Sequence, residues 1–94
     1  MTFGISYNDD IDLARAIISK VAENCEYILH DQGIDILVSE LADSSVNFAV
    51  RPWCKTEHYW DVYFYMHENI KKEFDKENIG IPFPQMDIHF NKMD

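Results

Sequence analysis

The apolar positions near the start of the chain follow two different periods. Phe3–Tyr7 alternates between apolar residues and small or polar ones, which predicts a short first strand. From Ile11 onward the apolar positions recur every three or four residues, which predicts an amphipathic helix of about four turns ending between Asn24 and Tyr27. The polar residues 8–10 supply candidates for its N-cap. The apolar face expected for this helix consists of Ile11, Ala14, Ile17, Ile18, Val21, Ala22 and Cys25.

A second run of alternating residues predicts two more strands. Ile34–Leu41 is expected to form the second strand, Ala42–Ser45 a polar hairpin turn, and Val46–Arg51 the third strand. Pro52 cannot donate to a strand ladder, so we expect it where pairing ends or at a bulge.

A longer helical pattern follows the third strand. Thr56 is its predicted N-cap, and the helix is expected to cover about Glu57–Glu77. Asn78 suits a left-handed residue after the helix, and Ile79 can fold back as the apolar residue that accompanies such an ending. The apolar face expected for this helix consists of Tyr59, Val62, Tyr63, Met66, Ile70 and Phe74.

Two prolines separate the end of the chain from everything before it. Pro82 and Pro84 each lack an N–H and fix φ, so this segment cannot lie inside a helix or a central strand. The residues behind them alternate as a strand does, and a strand placed this way needs a sheet to join. We therefore predict a folded domain at residues 1–81, followed at 82–94 by a linker and a strand that pairs either with its own domain or with a neighbouring subunit. The linker consists of Pro82, Phe83 and Pro84, and the strand of Gln85, Met86, Asp87, Ile88, His89 and Phe90.

The predicted order of elements is β-α-β-β-α, followed by the proline linker and a final strand. This is the element order of a ferredoxin-like α+β sandwich, in which two helices cover one face of a small antiparallel sheet. A length of 94 residues suits one such domain with a modest core. The fold class by itself does not name a function.

The charge balance narrows the range of partners. Eight basic and 17 acidic side chains give a formal net charge of −9. So much negative charge repels phosphate backbones and anionic lipid head groups, which argues against nucleic acid and against docking on such a membrane surface.

The sequence shows no signal peptide and no apolar run near the ~20 residues of a membrane helix. We expect Met1 to be an artificial start at a domain boundary of a longer gene product.

No combination of side chains points to catalysis, a metal or a cofactor. Cys25 and Cys54 are too few and too far apart for a metal motif or a disulfide framework, so we expect buried, reduced thiols in a cytosolic protein. His58 and Asp61 could face one ion from the same side of a helix, but no third ligand is placed to help them. The sequence reveals no nucleophile beside a base.

Aromatic residues crowd the end of the third strand and the start of the second helix. One helix cannot bury all of them against a single sheet, and exposed aromatic patches often mark interfaces. We therefore predict a subunit interface in this region. The crowded residues are Trp53, Tyr59, Trp60, Tyr63, Phe64 and Tyr65, and the interface candidates among them are Trp53, Tyr59, Trp60 and Phe64.

Several segments together resemble the C-terminal cytoplasmic domain of small-conductance mechanosensitive channels. The most specific are the Asp-Ser-Ser-Val-Asn turn within Ser39–Phe48 and the Pro-Phe-Pro-Gln-Met-Asp element within Ile79–Ile88. Gly4–Asp12, Arg51–Trp53 and Tyr59–Val62 resemble the same domain in the matching order, so the resemblance covers nearly the whole chain.

The resemblance implies a role in an assembly rather than in a reaction. Channels of this family are homo-heptamers of the bacterial inner membrane that open under tension and release ions and small osmolytes. Their C-terminal domains enclose a vestibule on the cytoplasmic side, with side portals between subunits. The strand that corresponds to residues 85–90 meets its copies in a narrow parallel barrel. Pro52 and Asn78 depart from the family pattern, which usually has an aliphatic residue and often a glycine at these places.

The residues alone leave an alternative open, a free-standing acidic ferredoxin-like regulatory domain that binds a small ligand or a metal. Apolar spans of ~20 residues upstream of Met1 in the gene would favour the channel, and a true start codon there would favour the alternative. We also hypothesise that the charge of −9 biases solute access toward cations. Unchanged ion preference after the reversal of several acidic side chains would contradict this hypothesis.

Overall fold

A computed structural model describes residues 1–80 of the chain. Over this range the elements follow the predicted order β-α-β-β-α. They are β1 (Thr2–Ile5), α1 (Ile11–Glu23), β2 (Ile34–Leu41), β3 (Val46–Pro52) and α2 (Tyr59–Lys76). Two short 3₁₀ turns, His30–Gln32 and Thr56–His58, precede β2 and α2. The linker predicted at 82–84 and the strand predicted at 85–90 lie outside the described residues.

The three strands form one antiparallel sheet in the order β1-β3-β2. β3 lies in the middle, and its Phe48 pairs with Phe3 on one side and with Val38 on the other. The register of β2 shifts between Val38 and Glu40, and such irregularities make a sheet edge less able to accept another strand. As predicted, Pro52 stands where β3 ends.

One hydrophobic core lies between the sheet and the two helices, which confirms the α+β sandwich. Phe48 and Phe74 are the largest fully buried side chains, and each contributes roughly 1.5–3 kcal/mol by leaving water. The other buried apolar residues of the named elements are Phe3, Ile5, Val46 and Val50 in the sheet, Ala14, Ile17, Ile18, Val21 and Ala22 in α1, and Val62, Met66 and Ile70 in α2.

The start of α1 is fixed by one of the three predicted N-cap candidates, residues 8–10. Asp10 is the N-cap, and its Oδ1 accepts hydrogen bonds from the backbone N–H groups of Asp12 at 2.8 Å and Leu13 at 3.2 Å. The predicted apolar face is confirmed except at Ile11, which is exposed because it lies in the first turn, before the buried part of the helix. Cys25 follows the helix and is buried.

The prediction for the first strand was wrong at its carboxyl end. β1 ends at Ile5, which pairs with Val46, because β3 begins at Val46 and offers no partner beyond it. Tyr7, which the alternating pattern placed in the strand, lies in a turn and is half exposed. Its hydroxyl donates to the backbone carbonyl of Ala42 in the turn between β2 and β3.

The prediction for the start of α2 was also wrong in detail. Thr56 begins a 3₁₀ turn, and the α-helix starts only at Tyr59, after His58, whose side chain makes no capping hydrogen bond. Tyr59 was expected on the apolar face but is half exposed at the first position of the helix, where it lines an open cavity of about 220 Å³ together with Met1 and Pro52. Of the other residues predicted for this face, Val62, Met66, Ile70 and Phe74 are buried and Tyr63 is partly buried.

Candidate assembly site

The aromatic residues at the start of α2 divide between the core side and the solvent side of the helix. Val62 faces the core, and a residue two positions away on an α-helix points about 200° round the axis. Trp60 and Phe64 therefore project into solvent, with 60% and 63% of their surface exposed. Tyr59 is half exposed, and Tyr63 is partly buried. We call Tyr59, Trp60, Tyr63 and Phe64 the aromatic surface.

The rings of the aromatic surface pack on one another. Trp60 and Phe64 stack with their centroids 5.8 Å apart, and Tyr59 meets Trp60 edge-on at 5.0 Å. Tyr63 meets Trp60 at 5.2 Å and Phe64 at 5.6 Å, in both cases edge-on. These contacts hold the four rings against one another on the surface of α2.

A further set of rings connects the aromatic surface to the core. The centroids of Tyr63 and His67 are 4.0 Å apart, and those of His67 and Phe3 are 4.8 Å apart. The Nδ1 atom of His67 lies 2.7 Å from the backbone carbonyl of Tyr63, which fixes the orientation of the imidazole. Since Phe3 is a buried residue of β1, the flank of α2 that carries the aromatic surface lies on the β1 side of the domain.

The structure separates two of the predicted aromatic residues from this surface. Trp53 follows β3 and is more than half exposed, and its carbonyl accepts a hydrogen bond from the N–H of Leu29 at 2.7 Å. Within residues 1–80 its ring stacks on none of the rings of the aromatic surface. Tyr65 points toward α1, and its hydroxyl donates to the carbonyl of Asn24 at 3.2 Å. Of the four interface candidates, three therefore share one surface: Tyr59, Trp60 and Phe64.

β2 exposes further apolar side chains that sequence reasoning did not identify as a surface. Leu37 is half exposed, and Leu41 has 70% of its surface in solvent. The signal was present, because the consecutive apolar residues 36–38 place apolar side chains on both faces of one strand. Leu37 pairs with Ala49 and lies on the sheet face that the helices leave in solvent. Leu41 pairs with the buried Val46, so it lies on the helix side of the sheet and is exposed at the last position of β2.

The chain leaves α2 along a fixed path. Asn78 adopts the left-handed conformation with φ 60°, and Ile79 folds back into the core with only 4% of its surface exposed, both as predicted. The N–H of Gly80 then donates to Oδ2 of Asp9 at 3.1 Å. The same oxygen accepts the N–H of Ser6 at 3.1 Å, so the exit of the chain is attached to the loop that follows β1.

The solvent side of α2 carries pairs of opposite charge. Lys72 donates to a carboxylate oxygen of Glu68 at 2.7 Å, and Lys71 donates to Asp75 at 2.6 Å. The hydrogen bond from Lys72, and then its positive charge, lower the pKa of Glu68 below its ordinary value. Such pairs are exposed to solvent, so they contribute little to the stability of the fold.

The described residues hold little that suggests chemistry. Residues 1–80 contain no group of three His, Cys, Asp or Glu side chains placed to hold a metal ion. His58 and Asp61 do meet, with Nδ1 3.3 Å from Oδ2, but only as a pair.

The prediction of a buried thiol is confirmed for Cys25 and wrong for Cys54, which is only partly buried because it lies past the end of β3. Neither α1 nor α2 is long and apolar enough to cross a membrane.

Comparisons with known proteins identify relatives that share this domain. Residues 1–81 match the family described as mechanosensitive ion channel MscS, C-terminal. A small-conductance mechanosensitive channel of Edwardsiella ictaluri is 46% identical over 86 residues, which cover 92% of this chain and 30% of that protein. Another, from Helicobacter pylori, is 33% identical over 92 residues, which cover 97% of this chain and 34% of that protein.

A solved structure shows the same fold. The crystal structure of Helicobacter pylori MscS in its closed state matches with a TM-score of 0.82 at 31% identity, over 99% of this chain and 37% of that one. The chain thus spans about a third of the length of the relatives that it matches. The family is one of channels and not of enzymes. Because residues 1–81 match the family and residues 1–80 show the fold of a solved relative, this chain belongs to the MscS family of mechanosensitive ion channels, as its C-terminal domain.

Proposed function

We propose that this chain is the cytoplasmic vestibule domain of a mechanosensitive channel subunit and that its function is assembly. In this proposal identical subunits form a homo-heptamer, and their domains enclose a vestibule on the cytoplasmic side of the bacterial inner membrane. Side portals between the domains pass ions and small osmolytes. The observation that carries the proposal is the match of residues 1–81 to the MscS C-terminal domain. The match also favours the channel over a free-standing regulatory domain.

The exposed apolar side chains support a role in ring assembly. A closed ring of head-to-tail contacts needs two different patches on each subunit. The aromatic surface supplies one, and Leu37, on the sheet face away from the helices, is a candidate for the other. Tyr59, Trp60 and Phe64 keep 50–63% of their surface exposed, so together they can add roughly 250–450 Å² to the ~800 Å² per partner that a stable interface needs. Trp53 remains a separate candidate outside the aromatic surface.

In the same proposal the chain divides at residue 81. Residues 1–81 form the folded domain, and Pro82, Phe83 and Pro84 form a stiff linker to a strand at Gln85–Phe90. That strand pairs with its copies in a closed barrel, which leaves no sheet edge exposed. The alternating pattern of the strand and the two prolines support this division, because prolines restrict the directions in which the strand can leave.

A chimera tests the proposal. The segment of the Edwardsiella ictaluri channel that matches this chain is replaced by the 94 residues, and the purified membrane protein is examined by native mass spectrometry. We expect a heptamer. The double variant Trp60→Ser, Phe64→Ser should lower the heptameric fraction by about fivefold or more, because these exposed rings are central to the contact.

The control is Glu73→Gln, which changes a side chain on the same helix outside the aromatic surface. It should assemble like the parent chimera. A parent chimera that does not assemble while the unmodified channel does would refute the vestibule role. If the double variant forms the heptamer as well as the parent chimera does, the role of the aromatic surface is refuted and the vestibule role is not.

A further inference from the structure

We propose that Asp9 is the positioning residue that sets the direction in which the C-terminal segment leaves the domain. This inference rests on the proposed assembly role of residues 85–90. It begins with one carboxylate oxygen: Oδ2 of Asp9 accepts the N–H of Gly80 and the N–H of Ser6, each at 3.1 Å. Gly80 and Asp9 are 71 positions apart, so this contact joins the end of the folded domain to its beginning.

The loop that holds Asp9 is itself held in shape. The N–H of Asp9 donates to the carbonyl of Ser6 at 3.0 Å, and the N–H of Ser6 donates back to the Asp9 carboxylate. Two hydrogen bonds between the same pair of residues fix the side chain of Asp9 relative to the end of β1. The carboxylate is therefore a rigid acceptor for Gly80 and not one arm of a mobile surface residue.

Three consecutive residues then fix the exit of the chain in three different ways. Asn78 turns the backbone out of α2 with its left-handed conformation, and Ile79 anchors it with a side chain buried in the core. Gly80 fixes the next peptide plane through its N–H to Asp9. The first two anchors set the position at which the chain leaves. The hydrogen bond to Asp9 sets the direction in which the chain leaves.

The sequence after Gly80 makes this direction matter. Prolines at positions 82 and 84 favour an extended, semi-rigid chain that advances about 3.1 Å per residue. Five such residues carry the chain ~15 Å, so a tilt of about 30° at Gly80 displaces Gln85 by ~8 Å. Neighbouring strands in a sheet lie only about 4.8 Å apart. A subunit whose exit is tilted this far cannot bring its strand into register with those of its neighbours.

The chain offers a matched control next to Asp9. Asp10 is also an acidic residue of the loop, but its Oδ1 caps α1 through the N–H groups of Asp12 and Leu13 and has no contact with Gly80 among the described residues. Loss of either carboxylate lowers the stability of the fold. Only the loss of the Asp9 carboxylate releases the exit of the chain.

The first experiment measures the hydrogen bond from the N–H of Gly80 to the Asp9 carboxylate, which we call the latch, in the 94-residue chain. Amide hydrogen exchange at Gly80 is followed by NMR in the parent, in Asp9→Ala and in Asp10→Ala. We expect exchange at Gly80 to accelerate by about tenfold or more in Asp9→Ala and to stay within about twofold of the parent in Asp10→Ala, after normalisation to the core amide of Ile70. Equal exchange at Gly80 in the two variants would overturn the inference.

The second experiment measures assembly in the chimera described above. Gly80→Pro removes the donor of the latch, whereas Gly80→Ala keeps the N–H and places its Cβ 4.0 Å from Asp9 Oδ2, an ordinary contact. We expect Asp9→Ala and Gly80→Pro to lower the heptameric fraction and Gly80→Ala and Asp10→Ala to leave it unchanged. A normal heptamer in Asp9→Ala, together with faster exchange at Gly80, would overturn the role of the latch in assembly.

A third experiment separates failure of this inference from failure of the proposed function. Deletion of residues 85–94 tests the strand directly. If the deleted chimera still forms a heptamer, the proposed role of the strand is wrong, whatever Asp9 does. If deletion abolishes the heptamer while Asp9→Ala and Gly80→Pro leave it intact, the strand functions and Asp9 does not position it.

Discussion

The N–H of Ile79 donates a hydrogen bond to the carbonyl of Phe74 at 2.9 Å, across the left-handed residue Asn78. The N–H of Asn78 also points back, to the carbonyl of Asp75 at 3.3 Å. These two bonds are the Schellman motif, which satisfies carbonyls at the end of a helix and brings the following apolar residue back against it. In this chain the motif ends α2 and anchors the segment that leads to the predicted assembly strand.

The left-handed position should be specific for asparagine or glycine. We expect Asn78→Ala to lower the free energy of unfolding by about 1 kcal/mol and Asn78→Gly to leave it unchanged or raise it slightly, since a Cβ is unfavourable at φ 60° and glycine has none. Urea denaturation of the 94-residue chain measures both. The matched control is Asn24→Ala at the end of α1, where φ is −89° and a left-handed penalty does not arise.

The two phenylalanines of α2 should respond very differently to truncation. Phe74 is fully buried, so Phe74→Ala is expected to lower the free energy of unfolding by about 3–5 kcal/mol through lost burial and a cavity. Phe64 is mostly exposed, and Phe64→Ala should change the stability of the isolated chain by no more than ~0.5 kcal/mol. Urea denaturation at a concentration where the chain is monomeric compares the two. A large loss at Phe64 would mean that the aromatic surface serves the fold and not an interface.

The two cysteines should differ in reactivity. Cys25 has only 1% of its surface exposed, whereas Cys54 is partly exposed. A thiol reagent such as DTNB is expected to modify one thiol per chain under native conditions and the second only after unfolding, since reaction requires access to the sulfur. Cys54→Ser should remove the fast reaction and Cys25→Ser should leave it. Fast labelling that survives in Cys54→Ser would contradict the burial of Cys25.

The ion pair on α2 predicts one pH effect. Because Lys72 lowers the pKa of Glu68, the folded state favours the ionised carboxylate more than the unfolded state does. The stabilisation is therefore present above the unfolded pKa and is lost as the pH falls through the folded pKa. Lys72→Gln should move the pKa of Glu68 up toward its ordinary value, which an NMR titration of the side-chain carboxyl carbon measures. A pKa that does not rise would show that Lys72 is not the cause.

Features that depend on near neighbours in the chain were predicted well. The N-cap of α1 was expected within residues 8–10 and is Asp10, and the left-handed ending of α2 falls on Asn78 as expected. β2 has the predicted bounds, Ile34–Leu41. At the two helix ends the determining contacts reach no further than a few residues, so the local sequence contains the necessary information. β2 follows its alternating pattern, although its pairing with β3 is not local.

Features that depend on distant parts of the chain were predicted less well. The strand pattern at Phe3–Tyr7 continued past Ile5, but β1 stops there because its partner β3 starts at Val46. The helical pattern placed Tyr59 on the apolar face, but this first residue of α2 is half exposed, whereas Val62 one turn further on is buried. Trp53 was grouped with the aromatic residues of α2, and the structure places it apart from them.

The sequence by itself determined the order of elements, the N-cap region of α1, the left-handed ending of α2 and the likeness to the MscS C-terminal domain. Hydrophobic periodicity and capping involve residues a few positions apart, so both can be recognised in the sequence alone. Only the tertiary structure decided that Tyr59, Trp60 and Phe64 share one exposed surface and that Asp9 holds Gly80. Packing of both helices on one sheet decides which side of α2 faces solvent, and it brings together Asp9 and Gly80, which the chain separates by 71 positions.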